Sequence, residues 1–394
     1  MELVPESEIE KRIHKFQEEL QRKGLGGALI LKNVNLFYFS GTIQSSALFI
    51  PKEKDPILMV FKAIERVKQE SPLKNIIPVK GRGQIRKVLR DFELHPQKIG
   101  LEMDSLPVNL FLRYQQIFPE FEWVDISEII LRLRMIKTPY EVEQIRKAAQ
   151  ILHHGYMKIK EFIKEGMTEL EVDGYLAFLA RREGHMGVLR MRSWNQEMTH
   201  AHVLSGENGA VVSFLDSPHG GPGNTPAMAQ GASFRKIGRN EPIGIDYGVG
   251  VNGYVADQFR TLVIGDLEDE LKNAHELSVE LHHLFLKEAK PGVPCSDLYH
   301  HLLRKVQGTG LGGYFNGCGE GKAKFVGHGL GLEIDEYPIL APRFNQILQS
   351  GMVIALEPMF VFPEKGIVGL EDDYLVTDNG IERLTITEQK IIRL

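Results

Sequence analysis

Ile243-Gly244-Ile245-Asp246-Tyr247-Gly248-Val249-Gly250-Val251-Asn252-Gly253-Tyr254-Val255-Ala256-Asp257 is the stretch that decides the reading of this 394-residue chain. Two strand-like runs flank Asn252-Gly253, and Asn-Gly between such runs is a strong two-residue hairpin signal. That turn pairs Val251 with Tyr254 and Gly248 with Asp257. Side chains alternate along a strand, so Asp246 shares a face with Gly248. Asp246 and Asp257 then become diagonal neighbours on that face. Diagonal positions lie roughly 7–8 Å apart at the backbone, within reach of one shared ion. Gly248 is expected to leave room for that ion. An acid inside the apolar run Ile243–Tyr247 has no other ready explanation.

The pattern recurs downstream. Met352-Val353-Ile354-Ala355-Leu356-Glu357-Pro358 and Gly366-Ile367-Val368-Gly369-Leu370-Glu371-Asp372 flank the loop Pro363-Glu364-Lys365. A turn centred on Glu364 places Glu357 opposite Glu371, and two like charges in that relation are destabilising unless something positive lies between them. Burying four carboxylates unpaired is costly, and the only nearby cation is Arg260, three residues after Asp257. By charge count, two divalent cations balance the four acids. His328, flanked by Gly327 and Gly329, is the fifth candidate, since imidazole is a common metal ligand. Each of these residues alone has a plainer reading as a solvated strand-end acid or a loop histidine; the joint arrangement carries the inference. An oxygen-rich set with one nitrogen favours Mn, Co, Fe or Zn over a thiolate zinc site. A pair of metals about 3.5–4 Å apart can activate water and polarise a carbonyl.

Composition bounds the rest. Apolar residues make up 43% and charged residues 25%, as in an ordinary globular protein. A net charge of -5 argues against a general nucleic-acid binder. No apolar run approaches the ~20 residues of a membrane span, and the acidic start Met1–Glu6 does not read as a signal peptide. Two cysteines, Cys295 and Cys318, exclude a disulfide framework and fit a reducing cytoplasm. Gly308–Gly313 spells a dinucleotide motif but follows a helix, which argues against that use.

Helices and strands alternate through the first third: helix over 6–23, strands near 27–31, 46–50 and 57–61, helix near 82–94, strand 98–101 and helix 107–117. Residues 1–130 are therefore expected to form a small α/β domain. Residues 131–394 read as a larger α+β domain, with helices over about 139–165, from 169, over 267–289 and over 296–306. Thr138-Pro139 and Thr168…Glu171 are helix-start signals.

In their order and local texts these residues resemble the pita-bread metallopeptidases: Xaa-Pro aminopeptidase, prolidase and methionine aminopeptidase, with metal-free creatinase as a relative. The matching texts are Ile245-Asp246-Tyr247-Gly248, Asp257-Gln258-Phe259-Arg260-Thr261, Gly327-His328-Gly329-Leu330-Gly331, Leu356-Glu357-Pro358 and Glu371-Asp372. Asn35–Gly41 and Leu131–Lys137 resemble the creatinase-type amino-terminal domain and its junction. The resemblance implies a pita-bread catalytic domain behind a creatinase-type α/β domain. It implies metal ligands Asp246, Asp257, His328, Glu357 and Glu371, two divalent ions with Mn favoured, and Glu357 as proton acceptor for the attacking water. It also implies a peptide substrate cut after its first residue, often before proline, and a homodimer.

Two family histidines are replaced. Asp335-Glu336 stand where the family reads His-Glu, and Ser205-Gly206-Glu207-Asn208 leads to Ser213 rather than to His. Asp335 could donate a hydrogen bond only when protonated. The segment 216–231 reads as an inserted loop. Its His219, or alternatively His202, is the candidate to supply the missing imidazole, against the plainer reading of His219 as a surface-turn histidine. The expected activity is a metal-dependent hydrolase with a substrate that departs from, or extends beyond, ordinary Xaa-Pro peptides. The rival readings are a metal-binding pseudoenzyme acting through protein contacts and a creatinase-like amidinohydrolase.

Overall fold

Asn252 and Gly253 both adopt left-handed backbone, with φ of 49° and 96°. They close a two-residue hairpin whose strands twist together without splaying. The computed structural model describes residues 2–394. The chain divides into two compact units, ending at Arg134 and beginning at Met135.

The first unit carries a mixed six-stranded sheet, built from β1 (Gly27–Ile30), β2 (Ser46–Pro51), β3 (Ile57–Val60), β4 (Asn75–Pro78), β5 (Lys98–Leu101) and β6 (Glu122–Asp125). The spatial order is β4-β3-β2-β1-β5-β6. Only the pairings of β2 are antiparallel. Its helices are α1 (Glu6–Arg22), α2 (Asn33–Ser40), α3 (Ile64–Glu70), α4 (Ile85–Asp91), α5 (Val108–Ile117) and α6 (Ser127–Met135), the last running into the second unit. The α/β expectation holds. The short elements α2, α3, β4 and β6 lack a legible period in the sequence. For α2 the signal lies far away: Glu102 is buried and accepts hydrogen bonds from the amides of Leu31 and Lys32 and from Asn35 Nδ2, at the start of that helix.

The second unit opens with α7 (Pro139–Phe162) and α8 (Glu169–Glu183). Capping boxes start both, Thr138 with Glu141 and Thr168 with Glu171. Then come β7 (Ala201–Ser205), β8 (Ile243–Val251), β9 (Tyr254–Val263), α9 (Asp269–Glu288) and α10 (Cys295–Gln307). The chain closes with β10 (Gly327–Gly329), β11 (Glu336–Ile339), β12 (Val353–Leu356), β13 (Met359–Phe362), β14 (Gly366–Gly369), β15 (Asp372–Thr377), β16 (Gly380–Arg383) and β17 (Ile392–Arg393). One sheet runs β17-β9-β8-β7 and another β11-β10-β12-β15-β16, with β13-β14 as a separate ribbon. Helices segregated from mostly antiparallel strands make this unit α+β.

Both ribbons have the register read from the turns. Gly248 pairs with Asp257 and Val251 with Tyr254. Glu364 takes φ 66° at the second turn, and Met359 pairs with Gly369. The same register resumes beyond a break, where Leu356 pairs with Asp372. Glu357 and Glu371 lie opposite each other in that break, between the separate ribbon and the larger sheet.

The ribbons are clasped by a buried ion pair. Arg260 and Asp372 are both fully buried, 2.7 Å apart. The guanidinium also donates to the carbonyls of Phe259, Glu371, Thr387 and Glu388. Asp372 accepts further bonds from Gln258, Thr385 and Gln389. Burial raises the pKa of Asp372, but the Arg260 charge, with His282 and Arg383, more than offsets it and holds the carboxyl below its ordinary value. Removing one partner of such a pair strands the other, at a cost of about 3–5 kcal/mol. Arg260→Met is therefore expected to lower stability by about 3–5 kcal/mol in urea unfolding followed by circular dichroism; a loss below about 1 kcal/mol would mean that the clasp is dispensable.

Candidate active site

Alternation along β8 and β9 turns Asp246 and Asp257 to one face, both about 5% exposed or less. The Asp246 carboxyl lies within hydrogen-bond reach of those of Asp257 and Glu371. Glu371 is placed by its own amide, which donates to Phe259 O on β9, and Glu357 by its amide donating to Val326 O, just before β10. His328 on β10 points Nε2 at Glu357 Oε1, 3.4 Å away, and at Glu371 Oε1, 3.8 Å away. Its Nδ1 faces the Gly329 carbonyl at 3.1 Å. The five side chains named from the sequence thus converge on one buried spot.

Arg260 does not neutralise them. It stands three residues from Asp257 and so points to the opposite face, where Asp372 takes its charge. Burial raises the pKa of Asp246 to about 7. Burial first, and mutual repulsion second, push Asp257, Glu357 and Glu371 well above the carboxylate range. Asp246 Oδ1 and Glu371 Oε1 have no hydrogen-bond partner among the described residues. Buried acceptors without donors, in a nest of acids with one imidazole, are the donor set a hard or borderline divalent cation takes. Asp257, His328 and Glu371 offer three such atoms within 4.8 Å of one another.

Three expectations change. The space at Gly248 is not kept for an ion: a Cβ there would lie 2.5 Å from Leu189 Cδ1, so the glycine admits Leu189. The loop 216–231 does not stay on the surface at His219, which is 3% exposed and sits 3.6 Å from Asp246 through Nε2. The loop doubles back, with Gly221 N donating to Val211 O and Gly220 lying against Ser213. Asp335 is half-exposed and lies on the side of His328 away from Glu357 and Glu371, its Oδ1 3.4 Å from Nδ1. It can orient that ring, and it is near enough for its charge to raise the pKa values of Asp246, Asp257 and Glu357.

Other residues gave no local sign. Glu169, fully buried at the first turn of α8, accepts from Ser205 N and Oγ, Asn208 Nδ2 and Ser233 N and Oγ. The Ser205–Asn208 text is thus a backbone anchor. The Tyr156 hydroxyl of α7 is shared between the carbonyls of Ile245 and Gln258 and docks the helix on the first ribbon. Asp373 Oδ2 accepts from the Asp257 amide, a role that the three consecutive acids 371–373 could have signalled.

Residues 143–378 match the sequence profile of metallopeptidase family M24, and residues 12–136 match the creatinase/prolidase N-terminal domain. The Xaa-Pro dipeptidase of Pyrococcus furiosus is 28% identical over 98% of this chain and 100% of its own length. An uncharacterized peptidase of Staphylococcus epidermidis is 30% identical over 96% of this chain and 99% of its own. Among solved structures, the Xaa-Pro dipeptidase from Bacillus anthracis superposes with a TM-score of 0.84 at 26% identity, covering 98% and 100% of the two chains. The prolidase from Pyrococcus horikoshii gives 0.81 at 28% identity, covering 97% and 100%. The fold and the acid cluster define a pita-bread hydrolase. The chain belongs to metallopeptidase family M24, whose members use divalent metal ions, and it is a peptidase. Among the described residues no helix is long and apolar enough to cross a membrane.

The raised carboxyl pKa values set a pH dependence for metal-stripped protein. An acid whose folded pKa lies above its unfolded value is at ease when protonated. Its burial costs nothing below pH 4 and becomes a penalty as pH climbs towards the folded pKa, which for Asp246 is about 7. In EDTA the melting temperature should therefore fall between pH 5 and 8, and Mn²⁺ should abolish the fall. A melting temperature that is flat or rising with pH in EDTA would contradict the burial of these charges.

Proposed function

We propose that the chain cleaves the peptide bond after an N-terminal residue, with Xaa-Pro dipeptides as the reference substrates, at a site where Asp246, Asp257, His328, Glu357 and Glu371 hold two divalent cations. The observation that carries this reading is the convergence of four buried carboxylates and an imidazole without a protein cation among them. Two divalent cations balance the four charges, and the oxygen-rich set favours Mn, with Co, Zn and Fe as alternatives. Such cations supply Lewis acidity: they acidify water and polarise a carbonyl.

The protein side of the chemistry falls to few groups. Glu357 accepts a proton from the attacking water and returns it to the departing amine as the C–N bond breaks. His328 is held in one orientation, with Nδ1–H directed at Gly329 O and Asp335. Asp335 is a positioning residue in this scheme, and no part of it requires an oxyanion donor at that position. The homodimer belongs to the same proposal, and sedimentation velocity measures it.

Glu357→Gln keeps the shape and removes the proton acceptor. Hydrolysis of Xaa-Pro dipeptides with added Mn²⁺ should drop about 10²–10⁴-fold in that variant, with the fold retained by circular dichroism. Wild-type protein should lose its activity in chelator and regain it with the ion. A Glu357→Gln enzyme at near wild-type rate would end the assignment. Longer Xaa-Pro peptides in the same assay report whether the substrate range extends beyond dipeptides.

A further inference from the structure

We propose that His202, His219 and Asp246 hold one of the two cations, so that this position is rich in nitrogen and suits a borderline ion such as zinc or cobalt(II). The proposal rests on the metal reading above and adds two imidazoles to it.

The β7–β8 register places His202 directly opposite Asp246. His202 Nδ1 lies 3.9 Å and His219 Nε2 3.6 Å from Asp246 Oδ2. One ligand atom from each of the three residues falls within 4.8 Å of the others. Around a tetrahedral zinc with ligands at about 2.0–2.1 Å, neighbouring ligand atoms stand about 3.3–3.5 Å apart. The observed spacings need only a small inward movement to reach that. They are too long for hydrogen bonds.

These nitrogens lack a well-formed hydrogen bond within the protein. Among the described residues neither ring nitrogen of His202, nor Nε2 of His219, has a partner that meets hydrogen-bond geometry. The Gln230 amide lies beside His202. Its Nε2 donates to Glu197 O, which leaves Oε1 unpartnered and able to accept the N–H of a ligating His202. His219 is held from two sides: its Nδ1 is 3.4 Å from Ser217 Oγ, and its ring stacks on Phe259 at 5.4 Å and 19°. That leaves Nε2 free towards Asp246. Both rings are nearly inaccessible, at 1% and 3%. A histidine that merely filled the core would be expected to have hydrogen-bond partners, because unpaired buried nitrogens cost stability.

The test counts imidazoles. Metal-stripped wild-type protein is loaded with two equivalents of Zn²⁺ and measured by X-ray absorption at the zinc edge. Three histidines over two ions give about 1.5 imidazoles per zinc. The same two ions with His328 as the sole nitrogen ligand give about 0.5, which overturns this proposal and leaves the metal reading standing. Failure to bind any cation overturns that reading as well. In calorimetric titrations with Zn²⁺, His202→Asn and His219→Asn should each weaken one of the two cations at least about tenfold and spare the other. Circular dichroism first establishes that each variant is folded. Two unchanged affinities in folded variants count against ligation.

Discussion

Four carboxylates removed from water at one spot are the constraint on which the second unit turns. Two unit charges 4 Å apart repel by about 4 kcal/mol at an effective dielectric of 20. Burial raises the pKa of Asp246, Asp257, Glu357 and Glu371, and neighbouring acids of the cluster raise those of Asp257, Glu357 and Glu371 further, so protons or cations must accompany them. The fold fixes their positions through backbone hydrogen bonds rather than through side-chain packing. Glu371 hangs from Phe259 O, Glu357 from Val326 O, and the two aspartates from a paired hairpin. That arrangement keeps the charges together when nothing compensates them. Holding four acids in place in this way has a cost in stability.

That cost is offset next door. Arg260 and Asp372 lie one strand face away from the acids and form the most heavily bonded polar group in this region. The pair joins the first ribbon to the second, and Arg260 reaches the carbonyl of Glu371 itself. Behind the first ribbon, Gly155 lets α7 approach to the point where a Cβ would lie 2.6 Å from the Tyr247 ring, and Tyr156 caps two strand carbonyls. Rigid support on one face and unsatisfied acceptors on the other are what a binding centre needs.

Turn chemistry was the legible part. Asn252-Gly253 and Glu364 set the registers of both ribbons, and with them the faces of Asp246, Asp257, Glu357 and Glu371. The break after Leu356, where the second ribbon passes from one sheet into another, was not legible, because a register says which residues are opposite but not which sheet holds them. The course of the inserted loop was not legible either. Ser, Pro and Gly around His219 read as surface, yet Gly220 and Gly221 are there because the chain packs closely against Ser213 and Leu204. Glycine marks close approach as readily as exposure.

By itself the sequence determined the two turns and the side each acid faces, since these follow from the alternation of neighbours along a strand and from backbone freedom at single residues. Tertiary structure alone decided that Leu189 fills the gap at Gly248, that Glu169 anchors the Ser205–Asn208 turn, that Arg260 serves Asp372, and that His202 and His219 meet at Asp246. Each of those contacts joins segments distant in the chain. Their partners are set by how helices and ribbons pack, a property that no local window of residues contains.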